Sequence, residues 1–498
     1  MQLDTGGQML HPIVRWLGRR CLRWFYRDRC VLGINHIPAT GPVLLIGNHP
    51  NDIPDVLLGY LTTHRPVRYV GTISGATSPI TRATYRGLGV IPITRIRDAR
   101  KQRELGVDAA ATNAAAFQSV TTALKSGAMV AVFPEGGVTD EPDMGQFRGG
   151  VAKMALDCAE NGANIGLQVV PIGVHYDCPR TPRTDVTVVI GAAFGLDDWL
   201  HSYHAATSNQ PQGAAHPAHR ASTMLAIALR NRMREALLTV TRNAPTWELA
   251  QTRNQLTALI GALHSNGQTS PLAVAANVQH ACAELVYPTI EDAAGANHAT
   301  QPIAERSAID ARAHLIDLAH RLPGLVTRAG ARPESPGDCA RVLHAAGVQE
   351  VTPCWPSSFV TVLSAPVALV GLALHAPAHA AIWRHAHRIA ADRAELVGKA
   401  FVTGVYFMVV WYATLGVALA TLLYLVGASV WWAIPAVMLL PRLGDVAVWW
   451  QDAVRALRLR ARVMRWTDAE RAQVREAANA LRAAWTRQQA RPSARDFR

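Results

Sequence analysis

The sequence predicts an α/β domain, a mixed sheet flanked by helices, followed by a helical insert and a C-terminal transmembrane helical segment. Three observations carry that prediction. Residues 35–195 alternate short β-branched runs with helical patterns, the signature of strands joined by packing helices. Residues 200–350 are Ala-rich, with Leu225, Leu229, Met233, Leu237 and Val240 on one helical stripe. From Ala400 to Pro441 no Asp, Glu, Lys or Arg occurs, a longer run than the about 20 residues one bilayer crossing needs.

Taken in order, residues 1–34 form a basic amphipathic segment. Ile13, Leu17, Leu22, Trp24 and Phe25 are interspersed with Arg15, Arg19, Arg20, Arg23 and Arg27, a pattern suited to an anionic leaflet and equally to packing on the chain's own domain. No long apolar run opens the chain, so a secretory signal is not expected. Residues 35–200 hold the α/β domain, with strands expected at Val43–Ile46, Val67–Val70, Val90–Ile93, Met129–Phe133, Val169–Val174 and Val186–Ile190. Residues 201–350 read as a helical accessory insert without identifiable chemistry.

Residues 351–450 read as membrane-embedded helices. The charge-free run divides near Gly427 and Ser429 into two, with Trp411, Trp431, Trp432, Trp449 and Trp450 near the segment ends as an interfacial belt would place them. A third run, Phe359–Trp383, contains Pro366, Pro377, His375 and His379 and is expected to be re-entrant or interfacial. Residues 451–498 carry twelve Arg against five acids, a basic helical tail that the positive-inside rule assigns to the cytoplasm. Two crossings would keep the α/β domain on that same face.

Composition narrows the function classes. The 498 residues are 49% apolar and 17% charged, which excludes a wholly disordered chain. The net charge of +13 calls for an anionic partner. The Arg-rich stretches flank apolar segments and contain no recognition module, so anionic lipid is preferred to nucleic acid. Seven scattered cysteines without a Cys-x-x-Cys pair make neither a disulfide framework nor a structural zinc site. His375, His379, His385 and His387 lack a Cys or acid among them, and Pro377 is expected to break their helical spacing, so no metal is expected.

Four segments fall at strand ends, where active sites of such sheets gather. Asn48-His49-Pro50-Asn51-Asp52-Ile53-Pro54-Asp55 offers an imidazole with two acids close behind, and a carboxylate can fix the tautomer of a general base. Gly89-Val90-Ile91-Pro92-Ile93-Thr94-Arg95 ends in a cation able to clamp phosphate. Phe133-Pro134-Glu135-Gly136 leads into a Gly-rich turn, with Arg148 and Lys153 following. Val170-Pro171-Ile172-Gly173 is an apolar strand that could line a channel.

In this order and spacing, the four segments resemble the glycerolipid acyltransferase superfamily, the glycerol-3-phosphate and 1-acylglycerol-3-phosphate O-acyltransferases. The resemblance covers about residues 30–195, and the apolar segments and basic tail look like the subset acting on glycerol-3-phosphate or dihydroxyacetone phosphate. It implies an α/β acyltransferase fold and a thioester donor, acyl-CoA or acyl carrier protein, as co-substrate with no further cofactor. His49 would deprotonate the acceptor hydroxyl and Asp55 would orient it, with Asp52 as the alternative. Asn48, Arg95, Glu135, Gly136 and Arg148 would bind the phosphorylated glycerol acceptor, and Pro171 would line the acyl side. Two features depart from the family pattern. The usual acid position is Pro54, with Asp55 one residue later, and Thr72–Thr77 lacks the Lys often found between the first two motifs. A lysolipid acceptor, a thioesterase and a membrane scaffold without turnover are the competing expectations.

Overall fold

The computed structural model describes residues 11–63, 65–72, 85, 89–94, 108–139, 141–159, 164–179, 181–207, 217–265, 269–286, 317, 321–348, 356–390 and 396–489. The chain forms two compact units, residues 1–23, 31–175 and 188–243 in the first and residues 24–30, 176–187 and 244–498 in the second.

The first unit is built on a sheet. Its strands are β2 (Val43–Gly47), β3 (Val67–Thr72), β4 (Ile91–Ile93), β5 (Met129–Val132), β6 (Gln168–Tyr176) and β8 (Phe194–Gly195), while β1 (Tyr26–Leu32) and β7 (Thr184–Ile190) have residues 26–30 and 184–187 in the second unit. Strands β6, β2, β5, β3 and β4 lie side by side in that order. Strand β2 is parallel to both neighbours, with Ile46 opposite Val132 and Pro171, while β8 runs antiparallel on β6, so the sheet is mixed. Every residue of β2 and β5 is buried. A central parallel strand covered on both faces needs an unbroken apolar run, and the sequences Val-Leu-Leu-Ile-Gly and Met-Val-Ala-Val supply it.

Helices α1 (His11–Phe25), α2 (Ile53–Thr62), α3 (Ala109–Lys125), α4 (Gly150–Ala159), α5 (Leu196–Thr207) and α6 (Pro217–Leu238) complete this part of the chain. Asp108 caps α3 by accepting from the N–H groups of Ala110 and Ala111, satisfying two of the donors a helix start leaves open. Leu229, Met233, Leu237 and Val240 are buried in the same core as Leu44, Ile46, Val130 and Val169. The stripe read as an accessory insert therefore supplies sheet-covering core, and the change of unit falls between Asn243 and Ala244.

In the second unit, α7 (Trp247–His264), α8 (Pro271–Val286), α9 (Pro336–Ala345) and α13 (Asp468–Gln489) enclose a core that includes Leu256, Cys282, Leu343, Leu481 and Trp485. Three longer elements, α10 (Ser358–Ile389), α11 (Leu396–Leu425) and α12 (Ala433–Met464), are apolar enough over their length to be candidate membrane spans among the described residues.

Several expectations change here. The N-terminal helix ends at Phe25, and Arg27 lies in β1 with its side chain only 6% exposed; it is no lipid-facing cation. The basic tail does not begin as a separate piece at Gln451, because α12 runs on to Met464 and buries Leu459 and Val463 in the helical core. The run Phe359–Trp383 lies within one continuous helix with both Pro366 and Pro377 inside it. A neighbouring helix lies against it: a Cβ on Gly371 of α10 would stand 2.5 Å from the Leu443 carbonyl oxygen, so α10 and α12 are in close backbone contact. The break near Gly427 is present. Gly427 adopts φ 72°, and Gly427 and Ala428 donate their N–H groups to the carbonyls of Tyr424 and Leu423, a glycine stop closing α11.

Candidate active site

The site lies where β2, β5 and β6 end. The chain leaves β2 at Gly47, turns through Asn48–Asn51 and enters α2, with Asp52 at the helix start at a positive φ (50°) and Pro54 in the first turn. Proline is tolerated there because the first N–H groups of a helix have no intrahelical partner. Asp55 follows in that first turn, where a carboxylate is favoured by the helix dipole.

His49 Nδ1 lies 2.9 Å from Asp55 Oδ2, and the Asp55 side chain is fully buried while that of His49 is 13% exposed. The same carboxylate oxygen accepts the Asn51 N–H at 2.8 Å. The partner of Nδ1 is therefore Asp55, not Asp52. An ionised Asp55 accepts the Nδ1 proton and leaves the Nε2 lone pair for chemistry, and Nε2 has no partner among the described residues. Phe133 stacks on the imidazole, with ring centroids 4.0 Å apart and 5° between planes, which restrains its rotation.

Glu135 holds the backbone of this turn. One carboxylate oxygen accepts the His49 N–H at 3.0 Å and the other accepts the Gly145 N–H at 3.0 Å. Burial pushes its carboxyl above the ordinary range, and the two N–H donors pull the other way. Asn48 is similarly engaged. Its side-chain nitrogen donates to the Val174 carbonyl at 3.0 Å and its oxygen accepts the Val174 N–H at 2.7 Å, tying the turn to β6. The His49 carbonyl accepts the Thr139 N–H at 3.2 Å. Asn48 and Glu135 thus touch backbone around the imidazole at the positions where an acceptor contact was expected of them.

Gly136 takes φ 72°, and a Cβ there would lie 2.5 Å from Arg148 Nε. Only glycine suits that turn and that neighbour. Arg148 donates from Nε to the Glu135 carbonyl at 3.1 Å. Its outer nitrogens have no partner among the described residues, so an exposed cation is anchored on the turn that holds His49. Pro171 is buried inside the sheet opposite Ile46, and its carbonyl accepts the Gly191 N–H; it lies within a strand, not at a strand end. Arg95 lies outside the described residues. Its neighbour Thr94 is clamped by Asn113 of α3, which accepts from the Thr94 N–H at 2.8 Å and donates to its carbonyl at 3.0 Å.

Sequence reasoning assigned no role to Phe133, Asn51 or Asn113. The Phe133 signal was present, since it opens the third motif. Asn113 sits in an Ala-rich helix that offers no local clue.

A strand-end imidazole with a buried carboxylate behind it and a free cation beside it defines a class of proton-transfer sites suited to activating a hydroxyl. The comparisons specify that class. Residues 28–175 match the Acyltransferase family model, and this segment is an acyltransferase domain of the glycerolipid acyltransferase superfamily. An uncharacterized acyltransferase of Schizosaccharomyces pombe is 30% identical over 134 residues, 26% of this chain and 18% of that protein. Glycerol-3-phosphate O-acyltransferase 2 of Saccharomyces cerevisiae is 29% identical over 136 residues, 27% of this chain and 16% of its own. The matches span less than a fifth of the length of these relatives. Among solved structures, the 1-acyl-sn-glycerophosphate acyltransferase PlsC from Thermotoga maritima aligns with a TM-score of 0.29 and 15% identity, covering 46% of this chain and 80% of that one.

Proposed function

We propose that the domain transfers a fatty acyl group from an acyl-CoA or acyl carrier protein thioester to the hydroxyl of glycerol-3-phosphate. The observation that carries this reading is the His49–Asp55 pair with Nε2 unpartnered. His49 Nε2 takes the hydroxyl proton as the acceptor oxygen attacks the thioester carbonyl. The C–S bond then breaks, and the leaving thiolate recovers the proton from the imidazolium. The donor is already activated, so the protein supplies a base, an orienting carboxylate and a phosphate clamp. General-base catalysis contributes roughly 10²–10⁴-fold, and holding two substrates together contributes more.

Arg148 is suited to the acceptor phosphate by its free guanidinium arms, and Arg95 by the resemblance of its motif. The yeast relatives named as glycerol-3-phosphate O-acyltransferases support the choice of acceptor. Donors of this kind place the reaction on the cytoplasmic face of the membrane, with anionic lipid beside it.

The test supplies membranes containing the full chain with radiolabelled palmitoyl-CoA, or the acyl carrier protein thioester, and either glycerol-3-phosphate or lysophosphatidate. Lysophosphatidate formed from glycerol-3-phosphate, and lost in His49→Ala, is the expected result. Product from lysophosphatidate alone would move the step to a lysolipid. Free fatty acid released without acceptor would indicate a thioesterase, and no product with either donor would leave the scaffold reading.

A further inference from the structure

The turn that carries His49 is gripped from two sides by segments distant from it in sequence. On one side, the Val174 N–H and carbonyl of β6 bond the Asn48 side chain. On the other, Gly145 donates to Glu135, which also accepts the His49 N–H. Residues 240–243 follow α6 closely and belong to the same unit. They reach the neighbours of both grips.

The Val240 carbonyl accepts from His175 Nε2 at 2.8 Å. A carbonyl can only accept, so that ring nitrogen carries a proton. His175 is buried and directly follows Val174 in β6. Two glycines make the seat. A Cβ on Gly173 would overlap the Val240 carbonyl oxygen, and one on Gly191 would stand 2.8 Å from Val240 Cγ1. Neither glycine has a positive φ, so what both positions require is room for a second chain segment. Gly191 in turn donates its N–H to the Pro171 carbonyl at 2.9 Å.

Asn243 makes the other connection. Its Oδ1 accepts the Met144 N–H at 3.1 Å, a donor shared with Asp143 Oδ1 at 2.8 Å. Asp143 belongs to the loop itself and is exposed, so it moves with the loop. Asn243 ties the loop to something else. Its Nδ2 donates to Thr241 Oγ1 at 2.8 Å, and that hydroxyl donates to the Leu237 carbonyl at 3.0 Å, which fixes the amide on the end of α6. Met144 immediately precedes Gly145, whose N–H holds Glu135.

We propose that residues 240–243 are a strap that positions His49. They fix β6 and the Met144–Gly145 loop relative to each other, and so set where Nε2 meets the acceptor hydroxyl. Val240 and Asn243 are positioning residues that act through Asn48 and Glu135. The inference rests on His49 as the base in acyl transfer. It brings the stripe read as an accessory insert into the working domain.

The test uses the full chain in membranes, with kcat and both KM values from the radiolabelled transfer and hydrogen exchange read by peptide mass. Asn243→Leu should lower kcat about ten- to a hundredfold and leave both KM values unchanged. Exchange at residues 48–51 and 144–145 should rise about tenfold, the loss of one hydrogen bond, with α3 unchanged. Asn243→Asp keeps the oxygen that the Met144 N–H reaches and should restore most of kcat. An unchanged kcat, a rise in KM alone, or faster exchange through α3 as well would each overturn the strap. A parent that transfers no acyl group, with the local exchange change still present in Asn243→Leu, would keep the strap and sink the acyl-transfer reading. Should Asn243→Leu fold poorly, Asn243→Ala is read in the same way.

Discussion

The His49 site and the Arg27 cluster are assembled from similar parts with opposite outcomes. Each places a buried carboxylate against a cationic or basic side chain at a strand. In the cluster, the Arg27 guanidinium donates to Asp185, Asp338 and Ser335, Ser335 donates to Asp185 at 2.6 Å, and Asp338 takes Arg27, Arg341, Arg455 and the Arg332 N–H. At the site, Asp55 saturates one edge of the imidazole and leaves the other open. A buried polar network that is fully satisfied is rigid; one with a single open lone pair can take a proton. The difference between structure and chemistry here is one unmade hydrogen bond.

The largest expected effect breaks the open side. His49→Ala should reduce acyl transfer by roughly 10²–10⁴-fold while circular dichroism and the unfolding midpoint stay near the parent's. Retained turnover would remove His49 from the chemistry. Next comes the closed side. Asp338→Ala leaves Arg27 and Arg455 facing each other without their shared carboxylate, and breaking such a pair costs about 3–5 kcal/mol. Urea denaturation reads it, and a loss under 1 kcal/mol on that scale would show the cluster to be solvated.

Glu135→Gln probes the boundary between the two behaviours. It removes a charge-assisted acceptor from one of two backbone N–H groups, worth about 1.5–3 kcal/mol. If Glu135 holds the His49 turn, kcat falls with acceptor KM unchanged; a rise in KM alone would make it an acceptor contact.

The smallest effect separates the two regions by pH. Burial raises Glu135 above its ordinary 4.5 despite the Gly145 and His49 N–H groups. The folded state then binds the proton more tightly than the unfolded one, so this group's contribution falls as pH rises through the window just above 4.5. Burial would also raise Asp338, but Arg27, Arg455 and Arg341 outweigh it and hold the carboxyl below its ordinary 3.8. Its contribution is complete above that value and is lost as pH falls below it. Hydrogen exchange followed against pH should show the helices around Asp338 loosening as pH falls below its ordinary 3.8, while the Glu135 turn tightens as pH falls toward its ordinary 4.5; parallel responses would contradict the assignment.

Much of the first region was legible. The strand at Val43 is expected to Ile46 and runs to Gly47, and local sequence puts Asp52 and Asp55 close behind His49, with Asp55 preferred by the family resemblance and found on Nδ1. Short-range periodicity and a turn carry that information. The second region was not legible in the same way. Arg27, Asp185, Asp338 and Arg455 are separated by whole domains of sequence, and Arg27 reads locally as one more basic residue of an amphipathic run. Pro366 and Pro377 read as helix breaks and are carried inside α10, which packs its Gly371 closely on the backbone of α12.

By itself, the sequence determined six of the eight strands, β2 to β7, the order of the four motifs, an imidazole with two acids close behind it and the apolar character of residues 359–441, because each follows from residue type and spacing within one or two turns of chain. Only the tertiary structure decided that Asn48 and Glu135 grip backbone around His49, that Arg148 keeps its outer nitrogens free, and that Arg27, Asp185, Asp338 and Arg455 meet in one ionic cluster. Those outcomes depend on which distant groups satisfy each buried donor and acceptor, and a buried hydrogen bond has no signature in the residues between its partners.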